Sequence, residues 1–350
     1  MNDLRTLKDK IPQPLKEAVK NISASIYDSS FCQYSSVDIA TSIVASAIEN
    51  RSTEAVAKSP NADTVMWRIK KTLTFEKVEK LAATQKPPKG SRIKILIDGN
   101  NQEFYGKEAL GSIGGKPKNG THMFFGYLVA FSTIPPKGII AIRELFDGSV
   151  TDETEKMIDE LRKDYEIDMV VTDGEFYKAE LIDYLSRVGI HYVTKRLNTD
   201  NIRDLNISYD KPYLYESDIK RDSKIIYLKY WIYRYKGRGG DFYLCSDMKM
   251  KPKVIREIFS SRWGIETGFR ERDRVGIKTT TRDFLIRLFF YVISCIIYNI
   301  WQRIRFRYGT LVIRFDDIIE CIKNRIRYIM LSAKDASAIA RKRHIILRLV

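Results

Sequence analysis

Histidine is nearly missing from this 350-residue chain: His122, His191 and His344 are the whole complement, and they are scattered. That scarcity argues against a histidine-rich zinc centre and against a serine triad with a histidine base. Cysteine is scarce too, and Cys32, Cys245, Cys295 and Cys321 form no CxxC pair. With no recognisable signal peptide, such thiols predict a reducing cytoplasm. Long hydrophobic runs are also lacking. The longest, Leu288 to Trp301, has 14 residues and contains Asn299, so it reads as a buried helix rather than a bilayer span. Negative charge is what the last third lacks. Residues 249–350 hold 23 basic and 9 acidic side chains, which places 14 of the net 16 positive charges there. A block of that sign points to a polyanion, first of all nucleic acid, against the plainer reading of a solvated face.

What is present fits a globular protein: 44% hydrophobic and 30% charged residues, and at ~150 residues per domain, two or three compact units. Residues 1–83 read as helical, with apolar residues at helical spacing over Leu15 to Ile26 and Val37 to Ile48. Over residues 52–73, Ser52 caps a short helix, Ser59-Pro60-Asn61 breaks it, and a second helix ends in Arg68, Lys70 and Lys71. That is the outline of a helix-turn-helix, with an ordinary helical hairpin as the alternative. Residues 84–92 form a Pro- and Lys-rich linker.

Strand patterns follow at 93–98, 121–134 and 138–146, then a helix at 151–165 capped by Thr151, a strand at 168–173, a helix at 178–189 and a strand at 190–196. This β-β-β-α-β-α-β order predicts an α/β fold, a mixed sheet with helices on its faces. Residues 197–252 interrupt it with a β-rich insertion, a hairpin turning at KGRGGD. A long helix is predicted from about Lys253, a buried helix completes 253–308, and 309–350 form a basic helical region. The glycine-rich stretch GSIGGKPKNG lacks a GK[ST] ending and reads as a flexible connection.

Three carboxylates are placed for chemistry. Asp98 and Asp173 end strands and precede glycine, positions that face the rim of a sheet. Glu266 lies on the predicted helix, where Phe259, Arg262, Glu266 and Arg270 share one face with Arg274 a turn beyond. Acid flanked by arginine suits a metal ligand between phosphate clamps.

These segments resemble the DDE-type insertion-sequence transposases that carry the signature Y-x2-R-x3-E-x6-K. The likeness rests on VVTDGEFY around Asp173, SRWGIETGFR around Glu266 and LIDGNNQEFYG around Asp98, and covers most of the chain. The resemblance implies an RNase H-like core, and the helical residues 1–83 are read beside it as a DNA-binding domain. The resemblance further implies a metal-binding catalytic triad of Asp98, Asp173 and Glu266, the last two 93 positions apart. Arg262 matches the signature arginine, a phosphate contact. Phe259 stands at the tyrosine position and Asp273 at the lysine position; Arg270 or Arg274 would supply the missing charge.

The implied reaction is two-metal phosphodiester cleavage at element ends, followed by strand transfer of the 3′-hydroxyl into target DNA. An all-carboxylate site calls for Mg2+, with Mn2+ able to substitute. Expected partners are double-stranded DNA, as terminal repeats and target, and a second copy of the chain in a homodimer on paired ends. No membrane is expected, and the location would be the nucleoid. In the insertion, Trp231 is a candidate for stacking on an extruded base, with packing on the core as the alternative. Lys195 and Arg196 are further candidate DNA contacts. A nuclease without strand transfer and a non-catalytic DNA-binding derivative are the competing readings.

Overall fold

The computed structural model describes residues 12–29, 32–56, 60–83, 87–145, 149–221, 224–308 and 313–326. The chain forms two compact units, one of Gln85–Arg270 with Arg282–Phe284, the other of Met1–Thr84, Glu271–Thr281 and Leu285–Val350.

The helical unit starts with α1 (Pro12–Ser23), α2 (Ser36–Ile48), α3 (Thr53–Val56), α4 (Ala62–Thr72) and α5 (Phe75–Ala83). A capping box fixes the start of α2: Ser35 accepts from the Asp38 amide while Asp38 accepts from the Ser35 amide. Every α2 residue from Ile39 onward is buried, so this helix is the centre of its unit. Asn61 caps α4 by accepting from the Thr64 amide.

The other unit carries a nine-stranded sheet. Its strands are β1 (Arg92–Phe104), β2 (Ser112–Lys118), β3 (Thr121–Ser132), β4 (Gly138–Glu144), β5 (Glu166–Thr172), β6 (His191–Arg196), β7 (Tyr213–Arg221), β8 (Lys224–Gly237) and β9 (Gly240–Ser246). Helices α6 (Val150–Arg162), α7 (Ala179–Arg187) and α8 (Asp200–Arg203) connect them, and α9 (Pro252–Ser260) and α10 (Trp263–Arg272) follow. The strand order is β2-β3-β1-β5-β6-β9-β8-β7, with β4 also paired to β3. Strands β4, β3 and β1 are antiparallel, whereas β5 and β6 run parallel to β1. The mixed α/β core expected from sequence is therefore present. The insertion continues it, because β9 pairs with β6 and brings the β8–β9 and β7–β8 hairpins into the same sheet.

Alternation along β1 sets the layers. Ile93, Ile95 and Ile97 join one core cluster with Met157, Ile158 and Leu161 of α6 and Leu181, Ile182 and Leu185 of α7. With a side-chain period of two, Leu96 and Asp98 point from the opposite face. Helix α9 packs across β5, β6 and β9, with Ile255 fully buried.

Several local expectations are corrected. Strand β1 does not end at Asp98: pairing with β3 carries it to Phe104, opposite Met123. It is the parallel partner β5 that stops, at the pair Ile97–Thr172. The glycine-rich connection is ordered as β2, turning into β3 through Asn119 and Gly120, whose φ values of 49° and 84° are those of a hairpin turn. Ser149, not Thr151, caps α6, accepting from the Asp152 amide. The predicted long helix is broken at Ser261 and Arg262 into α9 and α10.

The helical unit resumes with α11 (Phe284–Tyr308) from Leu285 onward and α12 (315–326). By length and composition α11 is apolar enough to cross a bilayer, but 94% of its apolar window is buried inside the protein, as a core helix would be. The basic residues beyond 326 lie outside the described residues.

Candidate active site

The site is built where parallel pairing between β1 and β5 gives out. One residue past the last pair on each strand stand Asp98 and Asp173, side by side by register. Asp98 Oδ1 accepts from the Gly99 amide at 2.9 Å, and Asp173 Oδ1 from the Gly174 amide at 2.7 Å. Behind Asp173, the Thr172 hydroxyl donates to Thr194 Oγ1 at 2.8 Å, and the Thr194 hydroxyl donates to the Asp173 carbonyl at 3.1 Å. Both threonines are buried, so this relay fixes the Asp173 backbone against β6.

The turn between α9 and α10 supplies the rest. Arg262 Nη1 donates to Asp98 Oδ2 at 3.0 Å, and its Nη2 donates to Glu266 Oε1 at 2.5 Å while lying 3.7 Å from Asp173 Oδ2. One guanidinium thus binds all three carboxylates that the sequence singled out. It is 12% exposed, against 17% for Asp98, 32% for Asp173 and 39% for Glu266. Phe259 lies beside it, with its ring centroid 5.5 Å from the guanidinium carbon. Burial, the largest influence, pushes the Asp98 carboxyl up from an ordinary 3.8 to about 6; the Arg262 charge and the Gly99 amide oppose this, while Asp173 and Glu266 add to it.

The remaining candidates separate. Arg270 is exposed on α10. Arg274 belongs to the helical unit and is bonded to Glu271 at 2.7 Å and to Asp316. Lys195 is exposed at the end of β6. Arg196 is caged by tyrosine rings, its guanidinium carbon 4.5 Å from Tyr177, 5.1 Å from Tyr215 and 5.8 Å from Tyr230. Trp231 is half-buried under the Lys249 ammonium, 4.7 Å away. On β8 the alternate residues Leu228, Tyr230 and Ile232 enter the core, so both faces of that strand are used. Lys70 and Lys71 are exposed on α4, the Lys71 ammonium lying 3.7 Å from the Tyr27 ring and 4.8 Å from Trp67.

Arg68 is corrected: at 2% exposure it is a buried tie, donating to the carbonyls of Tyr27 and Tyr34 and to Asp28. The sequence reading missed Trp263, which opens α10 next to Arg262 and is 66% exposed. An indole between the two charged residues of the motif was the available signal. The Thr172–Thr194 relay left no such signal, since its members lie 22 residues apart.

The three carboxylates gather where a mixed sheet passes from antiparallel to parallel pairing. The family model described as "Transposase DDE domain" matches residues 93–300. The chain belongs to this family of DDE-type DNA transposases. Among solved structures, it is similar to the piggyBac transposase in a synaptic complex with hairpin DNA. That match has 12% identity and a TM-score of 0.60, covering 89% of this chain and 80% of that one. No curated protein matches.

Divalent metals are general to the family. Among the described residues no three acidic, histidine or cysteine side chains are placed to ligate one ion as they stand. The donor set nevertheless fits one: three carboxylates, oxygen donors only, converge on a single positive charge.

Proposed function

We propose that the chain is an insertion-sequence transposase that cleaves DNA at the element ends and joins the freed 3′-hydroxyl to target DNA. The observation that carries this reading is the convergence of Asp98, Asp173 and Glu266 on one guanidinium in a chain of the DDE family. Asp98, Asp173 and Glu266 would hold Mg2+, with Mn2+ as a substitute. When bound, the ions supply charge stabilisation at the attacking and leaving oxygens of the phosphodiester. Arg262, whose planar fork matches a phosphate, would orient the scissile group. Strand β1, paired with β3 on both sides of Asp98, and the end of β5 before Asp173 would keep those two carboxylates in register, and Glu266 closes the set from α10.

Lys195, exposed beside Asp173, and Arg270 on α10 would track the DNA backbone, and Trp231 would stack on a base. Lys70 and Lys71 would carry duplex contacts in the helical unit. The enzyme would act as a homodimer on paired ends, at the nucleoid of a reducing cytoplasm.

The test incubates purified protein with Mg2+ and DNA carrying the inverted repeats that flank the coding region. End cleavage with joined product is expected. Cleavage without joining would favour a nuclease, and binding alone a non-catalytic derivative. DNA affinity should also fall steeply with salt. Log K is expected to drop by ~0.9 per neutralised phosphate for each unit of log salt, so six contacts cost ~10³ between 50 and 200 mM. A flat response in a filter-binding titration would remove the basic residues of 249–350 as a DNA surface.

A further inference from the structure

We propose that Arg262 is a resident placeholder: its guanidinium balances Asp98, Asp173 and Glu266 until these yield to a divalent cation, and only then is it free to clamp a phosphate. This rests on the metal-dependent reading above and gives Arg262 a second role within that same site.

Geometry carries the argument. A guanidinium bound to one carboxylate is an ordinary ion pair, but this one has contacts of 3.0, 3.7 and 2.5 Å to three carboxylates from three separate segments. Three negative charges against one positive charge leave the spot short of positive charge, which a cation of charge two corrects better than an arginine does. Arginine cannot lose its proton in a protein, so its charge leaves the site only by movement.

The pose is also incompletely satisfied. Arg262 Nε is buried and has no hydrogen-bond partner, whereas the buried Arg68 donates from all three of its nitrogens. A buried donor left unmet costs free energy, so this pose holds the guanidinium less firmly than a fully bonded one would. Arg262 lies in the two-residue turn between α9 and α10, outside the regular part of either helix. A cation held by the three carboxylates would repel the guanidinium, and a phosphate is the partner its fork would then fit. The carboxylates are thus kept from facing one another uncompensated, and the phosphate clamp becomes available only after loading.

The experiment titrates the full-length protein with Mn2+ in the absence of DNA, by calorimetry. Arg262→Ala is expected to bind Mn2+ about tenfold tighter than the parent, the gain anticipated if the carboxylates are free about a tenth of the time. Without metal it should melt at a lower temperature than the parent, and Mn2+ should remove that difference. Equal or weaker Mn2+ binding by Arg262→Ala would overturn the placeholder.

A measurement on the unaltered protein covers the case in which the variant does not fold. Arginine modification by phenylglyoxal, mapped by mass spectrometry, should be slow at Arg262 without metal and severalfold faster with Mn2+. An unchanged or slower rate also overturns the idea. Asp98→Asn separates the two levels. If it abolishes Mn2+ binding while Arg262→Ala leaves it unaltered, the metal site stands and the placeholder falls. If neither parent nor Arg262→Ala binds Mn2+, both fall.

Discussion

Asp98→Asn is expected to abolish DNA cleavage and, at neutral pH, to make the metal-free protein more stable. The loss of activity follows from the role proposed for the residue: an amide oxygen carries no charge and is a poor ligand for a hard cation. A fall of ~10³-fold or more is expected, about 4 kcal/mol of barrier. The gain in stability follows from burial, which raises the Asp98 carboxyl from an ordinary 3.8 to about 6 in the folded protein. Between those values the folded chain holds a proton that the unfolded chain has released, so stability falls as pH rises through this window. Above pH 6 the charged carboxylate costs the fold of the order of 2–3 kcal/mol, and asparagine avoids that cost. The two proteins should therefore have matching unfolding midpoints near pH 3.5, diverge as pH rises through this window, and keep a steady difference above pH 6, with the variant ahead. Gel-shift affinity for DNA should be near normal, because the group removed is not a DNA contact. A variant less stable than the parent at pH 7 would show that Asp98 is held by its partners more than it is opposed by burial. Glu266→Gln should match the loss of cleavage, while its greater exposure, 39% against 17%, makes a comparable stability gain unexpected.

The framework of this site was legible because it is local. Alternating isoleucines at 93, 95 and 97 and the run DMVVT define buried strands by themselves, and parallel pairing of the two runs brings the carboxylate that follows each to the same level of the sheet. Two boundaries were not legible for the same reason in reverse. Gly99-Asn100-Asn101 has the composition of a turn, but β3 offers partners as far as Phe104, and pairing overrides propensity. The break at Ser261–Arg262 contains neither proline nor glycine, so helical periodicity runs across it unmarked. Its consequence is chemical: an arginine expected on a continuous helical stripe instead sits in a turn, within reach of two strands as well as its own helix. Arg196 and Arg68 show the limit most plainly. Both lie in basic clusters and read as surface charge, yet the rings that cage Arg196 come from three other segments, and the groups that bind Arg68 lie 34 to 41 residues away.

Arg68 supplies the second large effect, on stability instead of catalysis. Its Nε and Nη1 donate to the Tyr27 and Tyr34 carbonyls at 2.5 and 2.7 Å, and Nη2 to Asp28 at 3.2 Å. Truncation to alanine removes the Arg68 donor from each of these acceptors beneath α4 and opens a void the size of the side chain. Removing one member of such a buried pair typically costs 3–5 kcal/mol, and ~3 kcal/mol is the expectation here because Asp28 is 44% exposed and regains water. The neighbouring Lys70 is exposed, so Lys70→Ala should leave stability within ~0.5 kcal/mol while lowering DNA affinity and the salt slope by about one phosphate. Lys71→Ala falls between, losing ring contacts to Tyr27 and Trp67 worth roughly 0.5–1 kcal/mol at an exposed site. Urea unfolding of the full chain, paired with DNA titrations of the same three variants, resolves the pattern. Had Arg68 been the outward-facing contact its neighbours suggest, Arg68→Ala would weaken DNA binding and leave the urea midpoint where it was, the reverse of what its three hydrogen bonds require.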